Sequence, residues 1–443
     1  MRSIMLLQAV ALAALLLVSS WANAQTAAPR TAPPLPAYPE VTAPRATLPR
    51  TAAPPRPLPR PAPGPARGTA SLARHLDQAM ALDATARALA AQRDAVAARS
   101  ATVRSPIAGS PAVSGAWRTD TRGPREATQF DVEVGAPIWL PGQRRALGGS
   151  VSAAVAEVEG QLVQRELELA GQLREAWWAA ALAAREARLA RDRLATARDI
   201  ARDVDRRAAL GDIPASDGLL SQNETLAAEL ALSEAEANLA ASRASYAVLT
   251  GGAMPDLEAE APVPRNVSHP LLAAAEAGLA AAEAEARLVA ATQRDNPELG
   301  LFGQSQSGNV TEQGVSFGVR LRLPLATEAR NAPRRAAAQS QLTRATALLV
   351  QQRRLVNAGV LAGEAALRAA EEAARLARQR LGVADQQLDV ARRAFRQGET
   401  GIFDLYRVRQ LQLDAAGAEA RAAVQAGRAR SRLNQALGAV PGA

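Results

Sequence analysis

One offset recurs along this chain. Phe130 and Phe317, Pro137 and Pro324, Gly211 and Gly398, Asp217 and Asp404, and Gly251 and Gly438 each stand 187 residues apart. Five landmarks at one spacing mark an internal duplication, and a repeat governs the reading of every element inside it. The first copy covers residues 71–252 and the second 268–440, joined by a Pro-containing linker, 253–267. Pro106 and Pro297 are 191 apart, so a small length difference precedes the point where the copies come into register.

Each copy has the same order of elements. An alanine-rich helix is expected over 72–104 and again over 270–294. A Pro and a Gly/Ser-rich stretch follow, then a segment that alternates. In 128–140, Phe130, Val132, Val134, Ala136, Ile138 and Leu140 share one face, with Asp131 and Glu133 opposite. In 314–325, Val315, Phe317, Val319, Leu321, Leu323 and Leu325 share one face, with Arg320 and Arg322 opposite. Period two with one apolar and one charged face predicts a half-exposed strand.

A very long helix is then expected over about 143–208 and 333–396. Leu147, Val151, Val155, Val158 and Leu162 form a heptad-like stripe along the first. At 1.5 Å per residue it is a rod of about 100 Å. Glycine-containing turns at 209–216 and 397–402 reverse the chain. Return helices over 217–250 and 403–437 end at Gly251 and Gly438, where glycine suits a helix stop.

Composition removes most enzymatic readings. There is no cysteine, which excludes disulfides, thiolate nucleophiles and zinc fingers, and only two histidines, His75 and His269, which excludes a multi-histidine metal site. Both histidines read as exposed helix-start residues. No nucleophile–base constellation, cofactor motif or metal cluster is evident. The net charge of +9 is unevenly spread. Residues 25–70 hold six arginines against Glu40, so the body is close to balance and nucleic-acid binding is not expected.

The N-terminus reads as an export signal. Arg2 precedes an apolar run from Ile4 to Val18, and Ala22-Asn23-Ala24 supplies a cleavage site, so 1–24 is read as a signal peptide and Gln25 as the mature start. A retained anchor is the alternative, although the run is short for a spanning helix. Residues 25–70 hold 14 of the 28 prolines. That density cannot enter helix or sheet interiors and predicts an extended Pro/Arg-rich disordered linker.

Two long helical hairpins and four short strands do not make one compact soluble domain. A strand with one apolar and one charged face suits a transmembrane barrel, lipid outside and water inside. Four strands cannot close, and open edges are not tolerated in lipid, so several chains are required; three would supply twelve strands. Trp117, Phe130, Trp139, Phe302 and Phe317 all lie in the strand regions, as interfacial or lipid-facing rings would. A soluble sandwich core using the same rings is the competing reading. Trp177 and Trp178, halfway along the first long helix, are expected to pack between helices.

Four phrases carry a resemblance: VGAPIWLPGQRR (134–145), ALGDIPASDGLL (209–220), LTG (249–251) and RQGETGIFDLYRVRQLQLDA (396–415). Spaced as they are on the repeat, they resemble the TolC-like outer-membrane factor family over residues 71–440. The resemblance implies a mainly helical fold with a transmembrane β-barrel: a homotrimer whose twelve-stranded barrel continues into a periplasmic α-helical tunnel. It also implies a passive efflux duct in the outer membrane, with a periplasmic adaptor (membrane fusion) protein and an inner-membrane transporter as partners. Residues 137–144 look most like the heavy-metal cation branch, whose pumps are of the resistance–nodulation–division type. A multidrug or type I secretion duct, or a periplasmic coiled-coil adaptor, are the alternatives. Some relatives carry an acylated N-terminal cysteine; here anchoring would rest on the barrel.

Site expectations follow. Period-two phasing puts Asp131, Glu133, Arg320 and Arg322 in the barrel lumen. The tips at 209–217 and 397–404, with Gly211 and Gly398, are expected to contact the adaptor. The resemblance implies a periplasmic gate narrowed by acidic residues near the start of the second return helix. Asp404 matches that position, with Asp217 its repeat counterpart. Arg407 stands where some members carry another acid, so an Asp404–Arg407 ion pair is one reading and a helix-start role for Asp404 the other.

Overall fold

The computed structural model describes residues 67–120, 127–211, 214–255, 260–263, 268–308 and 314–441, with no side-chain description for 67–70. The signal peptide and most of the Pro/Arg-rich linker fall outside the described residues, as does part of 253–267. Residues 63–443 form one unit.

Helix dominates. The elements run α1 (Arg67–Leu82), α2 (Ala84–Ala98), α3 (Ser100–Arg104), β1 (Ala112–Thr119), β2 (Ala127–Pro137), α4 (Gln143–Ala209), α5 (Ala215–Thr250), α6 (Pro270–Ala291), β3 (Glu298–Gly308), β4 (Gly314–Arg322), α7 (Glu328–Gln397) and α8 (Ile402–Ala436). The helix expected over 72–104 is thus three helices. Asp83 makes the first break: in extended conformation it caps α2 by accepting from Ala86 N, and its carboxylate is also forked by Arg165; the second falls at Arg99. The first helix starts at Arg67, inside the segment read as linker. The second long helix starts at Glu328 rather than Pro333, so Pro333 lies inside it, in its second turn, at the cost of one i→i−4 backbone bond.

Two helices, α4 with 67 residues and α7 with 70, run the length of the fold. Each is about 100 Å long at 1.5 Å per residue. Shorter helices complete two half-height layers. Nearest the sheet the order is α2–α4–α6–α7, and toward the tips it is α5–α4–α8–α7. The halves meet at close joints. The His269 ring accepts from Leu271 N to cap α6, and its Nε2 lies 3.2 Å from the Ala436 carbonyl at the end of α8.

Packing concentrates at this level. Leu72 and Leu76 of α1 bury against Leu173, Trp177, Tyr246 and Val424. His75 is here too, buried with Nδ1 2.7 Å from the Tyr246 hydroxyl, so it is a core residue and not an exposed helix start. Arg174 is buried and forked by Glu260 of the inter-repeat segment, and the Asn434 amide binds Ala261 O and Val263 N. The join between the copies is therefore fastened to both hairpins. Trp178 donates to Ser431 Oγ at 2.9 Å, and the outer edge of its ring packs against Gly427.

That last contact has no slack. A Cβ at Gly427 would stand 2.1 Å from the Trp178 ring. Gly427→Ala is expected to lower stability by about 1–3 kcal/mol, the usual cost of overpacking. Thermal unfolding followed by tryptophan fluorescence checks this; an unchanged midpoint would mean that the ring moves freely.

Candidate functional site: the sheet and the helical tips

The four strands form one antiparallel sheet, in the order β1-β2-β3-β4. The central pair joins the two copies, and β1 and β4 are edges. Its register collects the apolar residues. Val113 faces Val134, Trp117 faces Phe130, Val134 faces Leu301, Ala136 faces Leu299, Leu301 faces Val319 and Leu299 faces Leu321. One continuous apolar surface thus crosses all four strands. Among the described residues nothing covers it: Trp117 is 69% exposed and Phe317 78%. The two 11-residue strands, β2 and β3, are each long enough to span a bilayer core.

The opposite face is charged and internally compensated. Arg320 pairs with Glu133 across β3, and its guanidinium lies 5.0 Å above the Phe302 ring. Arg322 pairs with Glu298 at 3.6 Å, and Gln129 donates to Asp131 at 3.1 Å. Asp131, Glu133, Arg320 and Arg322 stand on this one face, but Glu133 and Arg320 neutralise each other within a chain. Two glycines make the arrangement possible. A Cβ at Gly300 would lie 2.8 Å from Glu133 Oε1, and one at Gly318 would lie 2.6 Å from the Phe302 ring.

The structure corrects three aromatic and apolar expectations. Phe302 lies on the charged face, under Arg320, and not with the lipid-facing candidates. Trp139 and Leu140 follow the end of β2 at Pro137: Trp139 donates to Ser105 O at 3.1 Å, and Leu140 is buried. Leu323 and Leu325 likewise lie past the end of β4.

At the other end, Gly211 and Gly398 have φ of +79° and +77°. That left-handed backbone closes the helix end and turns the chain, and open space surrounds both residues. Val204 of α4, Phe395 of α7 and Ile402 and Leu405 of α8 form one buried cluster, so the two tips are held together within a chain. The Arg207 guanidinium caps the Phe395 ring at 4.5 Å. Leu210, Leu219 and Phe403 remain exposed beside the turns.

The gate candidates separate. Asp404 and Arg407 are both exposed, and among the described residues no ion pair joins them. Gly401, the N-cap of α8, has no side chain to cap the helix, and Asp404 lies in its first turn, where a carboxylate suits the helix dipole. Asp217 is buried, with Ser216 Oγ 3.4 Å from its Oδ1.

Sequence reading missed Arg409. This buried arginine of α8 donates to the Arg193 carbonyl of α4 at 2.8 Å, and burial lowers its pKa. The nearby Tyr406 hydroxyl is buried, and burial raises its pKa. A stripe of arginines on α8 hides such a residue until the neighbouring hairpin is in place.

Among the described residues, no cluster of His, Asp or Glu is arranged to hold a metal, and no helix is long and apolar enough to cross a membrane. The open sheet with its lengthwise helical hairpins is a known architecture. The fold is that of the TolC-like outer-membrane channels. VceC from Vibrio cholerae superposes with a TM-score of 0.66 at 16% identity, covering 84% of this chain and 96% of its own. CusC superposes at 0.68 with 14% identity (84% and 92%). The Campylobacter jejuni CmeC outer-membrane channel superposes at 0.64 with 13% identity (84% and 86%). Residues 266–439, essentially the second copy, match the family described as outer membrane efflux protein. No curated protein sequence is significantly similar to the chain. The superposed structures are described as outer-membrane proteins and channels.

The two faces can be told apart chemically. The chain has no cysteine, so single cysteines report cleanly. In detergent-free membranes, Asp131→Cys should react with a water-soluble maleimide, while Val132→Cys and Val319→Cys should be protected. Reaction at 132 and 319 with protection at 131 would reverse the assignment of faces.

Proposed function

We propose that three copies of this chain assemble into an outer-membrane duct, a twelve-stranded barrel continued by a periplasmic tunnel of helices. The observation that carries this reading is the apolar surface running unbroken across an open four-stranded sheet, backed by a charged face. Lipid suits the first and water the second, and turning the sheet over would put arginine into hydrocarbon at about 2–4 kcal/mol each near the midplane. On this reading Asp131, Glu133, Arg320 and Arg322 line the lumen.

The duct is passive and belongs to a tripartite efflux system. A periplasmic adaptor meets the tips at 209–217 and 397–404, where Leu210, Leu219 and Phe403 offer apolar contact beside Gly211 and Gly398. An inner-membrane transporter of the resistance–nodulation–division type delivers the cargo. Heavy-metal cations are the cargo favoured by residues 137–144; multidrug efflux and type I secretion are the other readings, and a soluble adaptor fits the apolar sheet poorly.

The exposed Asp404 contributes the entrance gate. Threefold symmetry turns one exposed carboxylate into three around an axis, attractive to cations and costly to crowd together. In planar bilayers the purified protein should form channels, and Asp404→Asn should change conductance or cation block while leaving trimer yield unchanged. Absence of channels contradicts the duct; unchanged conductance and block with intact channels would move the gate elsewhere. A deletion strain should become sensitive to divalent heavy metals, and sensitivity confined to dyes or antibiotics would replace the metal assignment.

A further inference from the structure

Helix α1 lies outside the tipward layer α5–α4–α8–α7, seated over α4 and α5. Its C-terminal boundary residue Asp83 meets Arg165, while Leu72 and Leu76 reach Trp177 and Val424, so its N-terminal end points toward the tips. There, among the described residues, the furrow between α4 and α8 continues uncovered. It holds a space of about 550 Å³ over a floor that includes Ala184, Ala426 and Gly427, beside Trp178. Arg185, Arg188 and Arg430 line it.

Two of these arginines lack the carboxylate partner that most nearby arginines have. Arg191 pairs with Glu236 at 2.9 Å, Arg198 with Glu229 at 2.7 Å, and Arg430 itself with Glu371 at 2.7 Å. Arg185 and Arg188 make no ion pair or hydrogen bond among the described residues, and both are exposed. They stand three residues apart on one helix, so their forks are neighbours, about 5–6 Å apart at Cβ. Two unmatched guanidinium groups over small side chains suit carboxylates carried on an extended chain.

The location narrows the occupant. By helix rise, Arg185 lies about 60 Å from the sheet end of α4 and about 35 Å from its tip. A bilayer headgroup is out of reach at the first distance, and a partner confined to the tip at the second. The furrow lies between α4 and α8, in the middle of the layer and not on its free sides, α5 and α7, which closure with other copies would cover. It opens on the side that carries α1. Inside a duct, three such helices of about 10 Å diameter would obstruct the passage, so this side faces outward.

We infer that this furrow docks the peptide-bearing glycan of the cell wall, gripping its peptide carboxylates through Arg185 and Arg188. The inference rests on the duct reading, because a tunnel of about 100 Å leading inward from the outer membrane must pass through that layer. The cell wall is the carboxylate-rich, extended polymer available at that height.

The test is co-sedimentation of the detergent-solubilised full-length protein with purified wall sacculi. The wild-type protein should pellet with sacculi and be released by about 0.3 M salt, since exposed charge pairs are screened. Arg185→Glu/Arg188→Glu should lower the pelleted fraction at least fivefold. Arg185→Gln/Arg188→Gln, which introduces no repulsion and disturbs folding less, should lower it at least threefold. Equal pelleting of wild type and the Gln variant would overturn the inference. So would arginine-dependent binding of the same strength to phosphatidylglycerol vesicles. Bilayer conductance of the same samples reports the duct separately: channels without sacculus binding sink only this inference, whereas absent channels sink the reading beneath it.

Discussion

An exposed apolar sheet with two free edges is the constraint on which the rest of this structure depends. Every strand contributes to one continuous nonpolar surface, and among the described residues no helix covers it. In water that surface is a liability. In lipid the surface is satisfied but the unpaired backbone of β1 and β4 is not, at several kcal/mol for each unsatisfied group. On the proposed duct reading, pairing edge to edge with further copies meets both demands. The charged face then has to live in the interior of whatever closes. The Glu133–Arg320 pair over Phe302, with Gly300 and Gly318 cleared beneath it, shows how strong charges are held there without bulk.

The helices answer a second demand, which is length. Neither α4 nor α7 has an apolar stripe buried along its whole course by one partner. Each is shared between a sheet-side partner and a tip-side partner, α2 and α6 above, α5 and α8 below. The joints between half-height helices are therefore the places where a long wall could fail. They are where buried polar chemistry gathers: Arg174 with Glu260, Asn434 with the inter-repeat backbone, and His75 with Tyr246. Buried pairs of this sort add little net stability, but losing one partner leaves an uncompensated charge. They fix geometry where small-residue packing alone would slide.

Much of this was readable from residue patterns, because the strongest signals are local. Period two marked β2 and β4, and heptad spacing and turn glycines located both hairpins within a few residues. What escaped depends on distant partners. The strands β1 and β3 lack clean alternation, since Gly115, Gly300 and Gly303 stand where a pattern would want side chains. Gly300 is explained only by Glu133 and Arg320 on neighbouring strands. Phe302 looked lipid-facing because it is aromatic, yet its position is set by a cation from β4. The break at Asp83 depends on Arg165 in another helix. Asp217 and Asp404 are repeat equivalents in sequence, but one is buried and the other exposed, because the two hairpin tips are not packed alike.

Edge closure is the central claim, and disulfide trapping tests it most directly. The native chain has no cysteine. One cysteine in β1 and one in β4, scanned over outward and inward positions of Ala112–Thr119 and Gly314–Arg322, can join only where edges of different copies lie side by side. Oxidation in membranes should give, for at least one register, a covalent ladder on denaturing gels that stops at three chains. A ladder ending at another number, or only intramolecular or monomeric species in every register, would contradict a barrel closed by three copies.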